Sequence, residues 1–310
     1  MKKSKQKNLI KIFAGLAMGL YVIFGTNVIG EVSKGSEEVS GEVDEVKRSL
    51  ESSLDVDGTL QVYFIDVGQA DCIYIKQDST NMLIDAGNNE DGQKLVSYFK
   101  SLGVDKFDYV VATHPHEDHI GGMDDIINSF GVDNYYMPDK ISTTKTFEDV
   151  LDALESKGLN YEVPNIGDEF DLGDASLKVI YSGDDTNDAN DSSIILKMTY
   201  GSNSFLFTGD ATSNVEEEIL NKDIKSDVLK VAHHGSSYSS TDAFLDKVAP
   251  KYAVISVGEN NSYNHPSSDT LDKLNRRNLK LYRTDLDGTI IFTSDGNDLS
   301  VQTEKTDTNG

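Results

Sequence analysis

The chain has 310 residues, 37% of them hydrophobic, which suits one large domain or two small ones with a sizeable core. Its 53 acidic against 28 basic residues give a net charge of -25. A surface this acidic excludes a protein that coats DNA or anionic lipid through Lys/Arg patches, so positive charge for a phosphate-bearing substrate must come from something other than side chains. The single cysteine, Cys72, excludes an intramolecular disulfide, and within ADCIYI it reads as a buried structural thiol.

The first thirty residues stand apart. MKKSKQKNLIK holds five lysines and no acid, and IFAGLAMGLYVIFGTNVIG then runs apolar for nearly twenty residues. Residues 1–30 therefore read as a signal peptide or an N-terminal membrane anchor, with a buried N-terminal helix as the third alternative. The first two predict engagement with the membrane or the secretion machinery. They place the remainder outside a bacterial cell or on the outer face of its cytoplasmic membrane. Residues 31–58 have no aromatic and read as an acidic flexible linker, briefly helical near DEVKRSLESSL. A folded domain is predicted over 59–303, followed by a polar, frayed tail at 304–310.

From Leu60 the pattern changes. LQVYFIDVG, CIYIKQ and NMLIDAG are short β-branched and aromatic runs between turn residues, and predict three strands. GQKLVSYFKSLG has helical spacing and ends in glycine. FDYVVATH predicts a strand that empties into a histidine cluster. A helix near MDDIINSFG, a strand at VDNYYMP and a helix at TFEDVLDALESKG follow. Strands are expected at SLKVIYS, SIILKMTY and NSFLFTGD, and a helix at SNVEEEILNK. DVLKVAHHG, YAVISVG, LKLYRTD and GTIIFTS predict the last strands, with helices at STDAFLDKVAP and SSDTLDKLNRRN between them. Strands first, then strands interleaved with helices, predict a mixed-sheet sandwich with helices outside. Asp66, Asp85, His114, Asp210, His233 and His265 each fall at or just past the C-terminal end of an apolar run, where catalytic residues of α/β layers collect.

Three of the six histidines lie in HPHEDH, which sets His114, His116, Asp118 and His119 at i, i+2, i+4 and i+5. Neutral imidazole and carboxylate are the ligand types of zinc and similar cations. On a loop that enters a helix, one such segment can supply two ligands to each of two metals. Gly121 and Gly122, just after it, allow close backbone approach.

THPHEDHIGG resembles the HxHxDH signature of the metallo-β-lactamase superfamily. FIDVGQADCIYI, LIDAG, FLFTGDA, DVLKVAHHGSSYSS, AVISVGENNSYNHPSSDTL and YRTDLDGTI extend the likeness to the ComEC-like hydrolase domain, and to related exported hydrolases that include phosphorylcholine esterases. The resemblance covers about residues 60 to 302 and implies an α/β, four-layer αββα sandwich with a dinuclear metal site. It implies that His114 and His116 bind a first metal, Asp118 and His119 a second, and that Asp210 bridges them. Asp118, His234 and His265 become candidates for the chemistry. Of His233 and His234 one is the later ligand, left open, and Asp85 orients the metal-binding loop. No histidine lies between His119 and His233, where many relatives supply another ligand, so Asp191, a water or His233 must fill that place. The expected cofactors are two divalent ions, zinc or manganese, which activate water against a phosphate ester. Lys230 and Ser236, near the histidine pair, are candidate substrate contacts. The expected activity is an exported phosphodiesterase acting on a nucleic acid or on choline-phosphate or teichoic-acid esters of a cell-wall polymer. Hydrolysis of a lactam, lactone or thioester, and a non-catalytic role, are the alternatives.

Overall fold

The computed structural model describes residues 58–183 and 188–305. The N-terminal segment, residues 31–57 with the short helix expected there, and the tail after Lys305 lie outside the described residues.

β1 (Leu60–Phe64), β2 (Ile73–Gln77) and β3 (Thr80–Ile84) form an antiparallel meander. Successive side chains of a strand point to opposite faces. Val62, Phe64, Ile75 and Ile84 therefore enter one apolar layer, while Tyr63, Tyr74 and Leu83 enter another. α1 (Gly92–Ser101) lays Leu95, Val96 and Phe99 on the second layer, the stripe its spacing predicts. β4 (Lys106–Val111) runs parallel to β3 and releases the histidine loop, which holds the one-turn α2 (Glu117–Ile120) and then α3 (Met123–Ser129). β5 (Gly131–Tyr136), α4 (Lys145–Lys157) and the two-residue β6 (Tyr161–Glu162) complete this half. Thr144 caps α4 by accepting from the Phe147 N–H, and Gly158 closes it at φ 65°, the left-handed conformation glycine adopts freely.

β7 (Glu169–Leu172), β8 (Ala175–Tyr181), β9 (Ile195–Tyr200) and β10 (Asn203–Phe207) form a second meander, with a 3₁₀ turn at Asn190–Ser192. After α5 (Ser213–Ile219), the strands β11 (Val228–Lys230), β12 (Tyr252–Ile255) and β13 (Lys280–Arg283) add in parallel. They are joined through α6 (Asp242–Val248) and α7 (Ser268–Asn275). A short α8 (Thr284–Asp287) leads to β14 (Ile290–Ser294) and β15 (Leu299–Thr303), which return to the first sheet.

The sheet orders are β15-β14-β1-β2-β3-β4-β5-β6 and β13-β12-β11-β10-β9-β8-β7. Three apolar layers hold them together. Phe64, Phe207 and Phe292 meet between the sheets, α1, α3 and α4 cover the first sheet, and α5, α6 and α7 cover the second. This is the expected four-layer αββα sandwich. β6, β7, β15 and α8 are absent from the sequence-based expectation. They are short edge or end elements of mixed polar and apolar residues, and both residues of β6 are exposed. The loops after β3 and β4 of one sheet meet those after β10, β11 and β12 of the other, and the site lies there.

Candidate metal centre

Asp85 stands directly after β3 at φ 61°. A non-glycine residue in this region costs conformational energy and persists where its surroundings fix it. Here they do. The Thr113 N–H donates to Asp85 Oδ1 at 2.8 Å, the Thr113 hydroxyl to Oδ2 at 2.7 Å, and His119 Nδ1 lies 2.8 Å from Oδ2. With Nδ1–H committed to Asp85, His119 turns Nε2 the other way. An outer carboxylate that fixes the ring of a metal-binding imidazole in this manner is a recurrent arrangement.

Close backbone approach makes this possible. A Cβ on Gly121 would sit 2.2 Å from the Asn88 carbonyl carbon, and one on Gly122 2.5 Å from the Ala86 oxygen. The Ala86 N–H bonds the His119 carbonyl at 2.7 Å, stitching the Asp85 loop to α2. The Gly-Gly step is thus the joint between the two loops, a specific form of the close backbone approach that the sequence predicts.

From the second sheet, Asp210 follows β10, and its N–H donates to the Ser193 hydroxyl at 3.1 Å. His119 Nε2 lies 3.3 Å from Asp210 Oδ1. His233 and His234 both adopt left-handed backbone, at φ 53° and 51°, which turns their rings apart. His234 points inward and is buried, with Nδ1 2.9 Å from the Ser256 carbonyl, to which it donates. Its Nε2 is 3.3 Å from Asp118 Oδ2 and 3.6 Å from Asp210 Oδ2. His233 stays half-buried at the rim, its Nε2 3.8 Å from Asp210 Oδ2. The structure thus distinguishes the two adjacent histidines.

Asp118, His119, Asp210 and His234 offer ligand atoms that all lie within 4.8 Å of one another. Asp210 Oδ1, His119 Nε2 and His234 Nε2 are buried and have no hydrogen-bond partner. Buried polar atoms in a native structure are ordinarily satisfied, so three orphans facing one point fit a cation held there. Two imidazoles and two carboxylates suit zinc and also manganese. The electrostatics agree. Burial alone would disfavour charge on His119, but Asp210, Asp85 and Asp118 hold it protonated well above the ordinary imidazole range. Burial likewise opposes charge on Asp210, and His119 and His234 overcome it, holding the carboxyl well below its usual range. The carboxylates thus favour positive charge at this point, which a bound cation would supply in place of a proton.

His114 and His116 are arranged differently. His114 is buried, and its Nε2 lies 3.0 Å from Nδ1 of the exposed His116, while its Nδ1 meets the Thr113 hydroxyl at 3.2 Å. Burial, then the neighbouring His119, pushes the His114 ring well below the ordinary imidazole range, so it is neutral, the form that binds metals. A further set, Asp71, Asp85 and His119, also has ligand atoms mutually within 4.8 Å, and among the described residues neither set includes His114 or His116. Asp191 does not complete the pair. Its carboxylate accepts from the Thr212 hydroxyl and, at 3.4 Å, from the Asn214 side-chain amide, at the start of α5.

His265 is half-buried beside both histidines, its ring centroid 5.6 Å from that of His233. Asn261 clamps its backbone, accepting from the His265 N–H at 3.0 Å and donating to its carbonyl at 2.6 Å. Burial, then His233 and His234, lowers its ring to about 4. Cys72 is buried, and burial followed by the charge of Asp85 raises its thiol well above the usual value.

Two sequence expectations need correction. Lys230 is engaged inside the protein rather than presented at the surface. It is 1% exposed, and its ammonium is 2.7 Å from Asp71 Oδ2. Ser236 is 2% exposed, its hydroxyl accepting from the Tyr238 N–H, so it too is internal. Asp71, Ser193, Ser256 and Asn261 were not foreseen. In sequence Ser193 and Ser256 sit within expected strands and Asn261 in a loop, and only Asp71, a carboxylate inside the otherwise apolar run ADCIYI, carries a signal.

A model of the metallo-beta-lactamase superfamily matches residues 65–259. The ComE operon protein 3 of Bacillus subtilis is 32% identical over 253 residues, 75% of this chain and 33% of that protein. The competence protein ComA of Neisseria gonorrhoeae is 29% identical, over 73% of this chain and 31% of its own length. Recombination protein 2 of Haemophilus influenzae is 25% identical, over 75% and 28%. The chain thus spans about a third of the length of these relatives. Among solved structures, the metallo-beta-lactamase fold protein YhfI of Bacillus subtilis aligns with TM-score 0.54 at 12% identity, covering 76% of this chain and 100% of that one. Igni18, a metallo hydrolase of Ignicoccus hospitalis, aligns with TM-score 0.51 at 18% identity, covering 76% and 98%. These two likenesses speak for the fold.

Proposed function

Since the chain belongs to the metallo-beta-lactamase superfamily, we propose that it is an exported, metal-dependent phosphodiesterase. The observation that carries this is the set of buried, unpartnered ligand atoms on His119, His234 and Asp210, with Asp118 beside them. Asp118, His119, Asp210 and His234 would hold one divalent cation, zinc or manganese. His114 and His116 would hold a second, sharing Asp210. Such ions supply Lewis acidity to a phosphoryl oxygen and make water acidic enough to attack near neutral pH.

The chain's own groups do the rest. Asp85 and the Ser256 carbonyl keep Nδ1–H of His119 and of His234 occupied, so each ring offers Nε2 inward. Ser193 pins the Asp210 backbone. His265, neutral at pH 7, offers a hydrogen-bonding ring at the rim without adding charge. The acidic chain lacks the positive surface that phosphate needs, so bound cations are the natural source of it. Two relatives are named for competence and recombination, which favours a nucleic-acid phosphodiester over a choline-phosphate or teichoic-acid ester. The net charge of -25 favours short or single strands over long duplex. The export assignment rests on the basic-then-apolar pattern of residues 1–30.

The test is to incubate the chain, loaded with zinc or manganese, with bis-p-nitrophenyl phosphate, single-stranded DNA, a choline-phosphate ester and nitrocefin. Cleavage of the phosphodiesters that a chelator abolishes is expected. Cleavage of the lactam alone would replace this activity with carbonyl hydrolysis. No turnover with either metal would leave a non-catalytic member of the fold.

A further inference from the structure

The ion pair of Asp71 and Lys230 is buried, each residue 1% exposed, with 2.7 Å between Nζ and Oδ2. A buried pair is a weak source of stability, because desolvation offsets most of the attraction, so its position points to another role. Asp71 Oδ1 is also buried and makes no hydrogen bond. It lies 3.5 Å from Nδ1 of His234, the nitrogen that donates to the Ser256 carbonyl. The Asp71 main chain reaches further. Its N–H donates to the Asp118 carbonyl at 3.1 Å, and its carbonyl accepts from the Gly87 N–H at 2.9 Å. One residue therefore touches the segment bearing Asp118 and His119, the loop bearing Asp85, and the turn bearing His234. Lys230, the last residue of β11, also donates to the Val231 carbonyl at 3.1 Å, tying the pair to the strand that delivers His234.

We propose that Asp71, anchored by Lys230, is a positioning residue that holds His234 with its proton on Nδ1 and its Nε2 lone pair turned toward the cation. The carboxylate behind Nδ1 makes the other tautomer unfavourable, because Nε2–H would leave a lone pair facing negative charge. Lys230 fixes the carboxylate across the two sheets and balances its charge. Asp71 is not among the four residues of the proposed cation cluster. Its action runs through the His234 ring, as outer carboxylates act on metal-bound imidazoles generally.

This inference rests on the proposed cation centre, and its test separates the two. Zinc affinity is measured by competition with a chromophoric chelator on the full chain, on Asp71→Asn and on Asp71→Asn/Lys230→Met, with thermal melting as the check on folding. The double variant leaves no unpaired charge inside. Affinity about 10- to 100-fold weaker in the folded variants is expected, the usual cost of losing such a partner. The visible spectrum of the cobalt-loaded protein should shift with it. A folded double variant with unchanged affinity and spectrum would reduce the pair to a structural contact and overturn the proposal. If the unaltered chain bound no zinc or manganese, the cation centre itself would fall. The tautomer would still be decided by nitrogen NMR of the unaltered chain at alkaline pH, where Nδ1–H on His234 is expected and Nε2–H would contradict the proposal.

Discussion

One six-residue segment feeds two ligand groups, and the second sheet treats them differently. Toward Asp118 and His119 come Asp210 and His234, and four ligand atoms converge. His114 and His116 instead face each other at 3.0 Å, and Asp191, the candidate in the missing-histidine segment, is bound to Thr212 and Asn214. The contrast teaches that a ligand motif specifies what one loop can offer. What the opposite sheet supplies decides which half becomes a finished site. By this measure the Asp118 half is arranged to hold a cation by itself, and under the proposed function the His114 half would need further ligands from elsewhere.

The largest expected effect is at the shared group. Asp210→Ala should weaken zinc binding by more than about 100-fold, beyond the cost of losing an outer partner, and a smaller loss would mean that the cluster is not the tight site. Next, the double replacement of His114 and His116 by Ala should abolish turnover while leaving tight binding of one cation within about threefold. Equal loss of both would erase the contrast between the halves. Gly121→Ala should cost about 3 kcal/mol or more in chemical denaturation, since its Cβ would meet the Asn88 backbone at 2.2 Å, and a near-neutral result would show that the two loops can part. The smallest effect is expected for Asp191→Ala. It loses the bond with Thr212, about 1 kcal/mol, and should keep turnover within about tenfold. A loss as large as that of the histidine pair would place Asp191 among the ligands.

Much of this was legible in the sequence, for identifiable reasons. The HPHEDH loop is contiguous, so spacing alone brings its four groups together, and the Gly-Gly step announces a close approach. The long strands alternate or run apolar, and both sheets were foreseen apart from their short edges. His233 and His234 were indistinguishable because they are neighbours of one type. Their left-handed backbone and the Ser256 carbonyl, 22 positions away from His234, make the distinction. The partner of Lys230 is likewise invisible in the sequence. A lysine at a strand end is ordinarily solvated, and nothing local says that Asp71, 159 positions earlier by the residue numbers, waits inside for it. Ser193 and Asn261 act through backbone contacts, which leave no compositional trace.

The most direct test of the central claim is equilibrium dialysis of the chain against limiting zinc or manganese, with metal analysis, beside His234→Ala. One tightly held ion per chain, lost in the variant while the protein stays folded, is the predicted result. An unaltered chain that retains no ion, or a variant that retains as much, would contradict it.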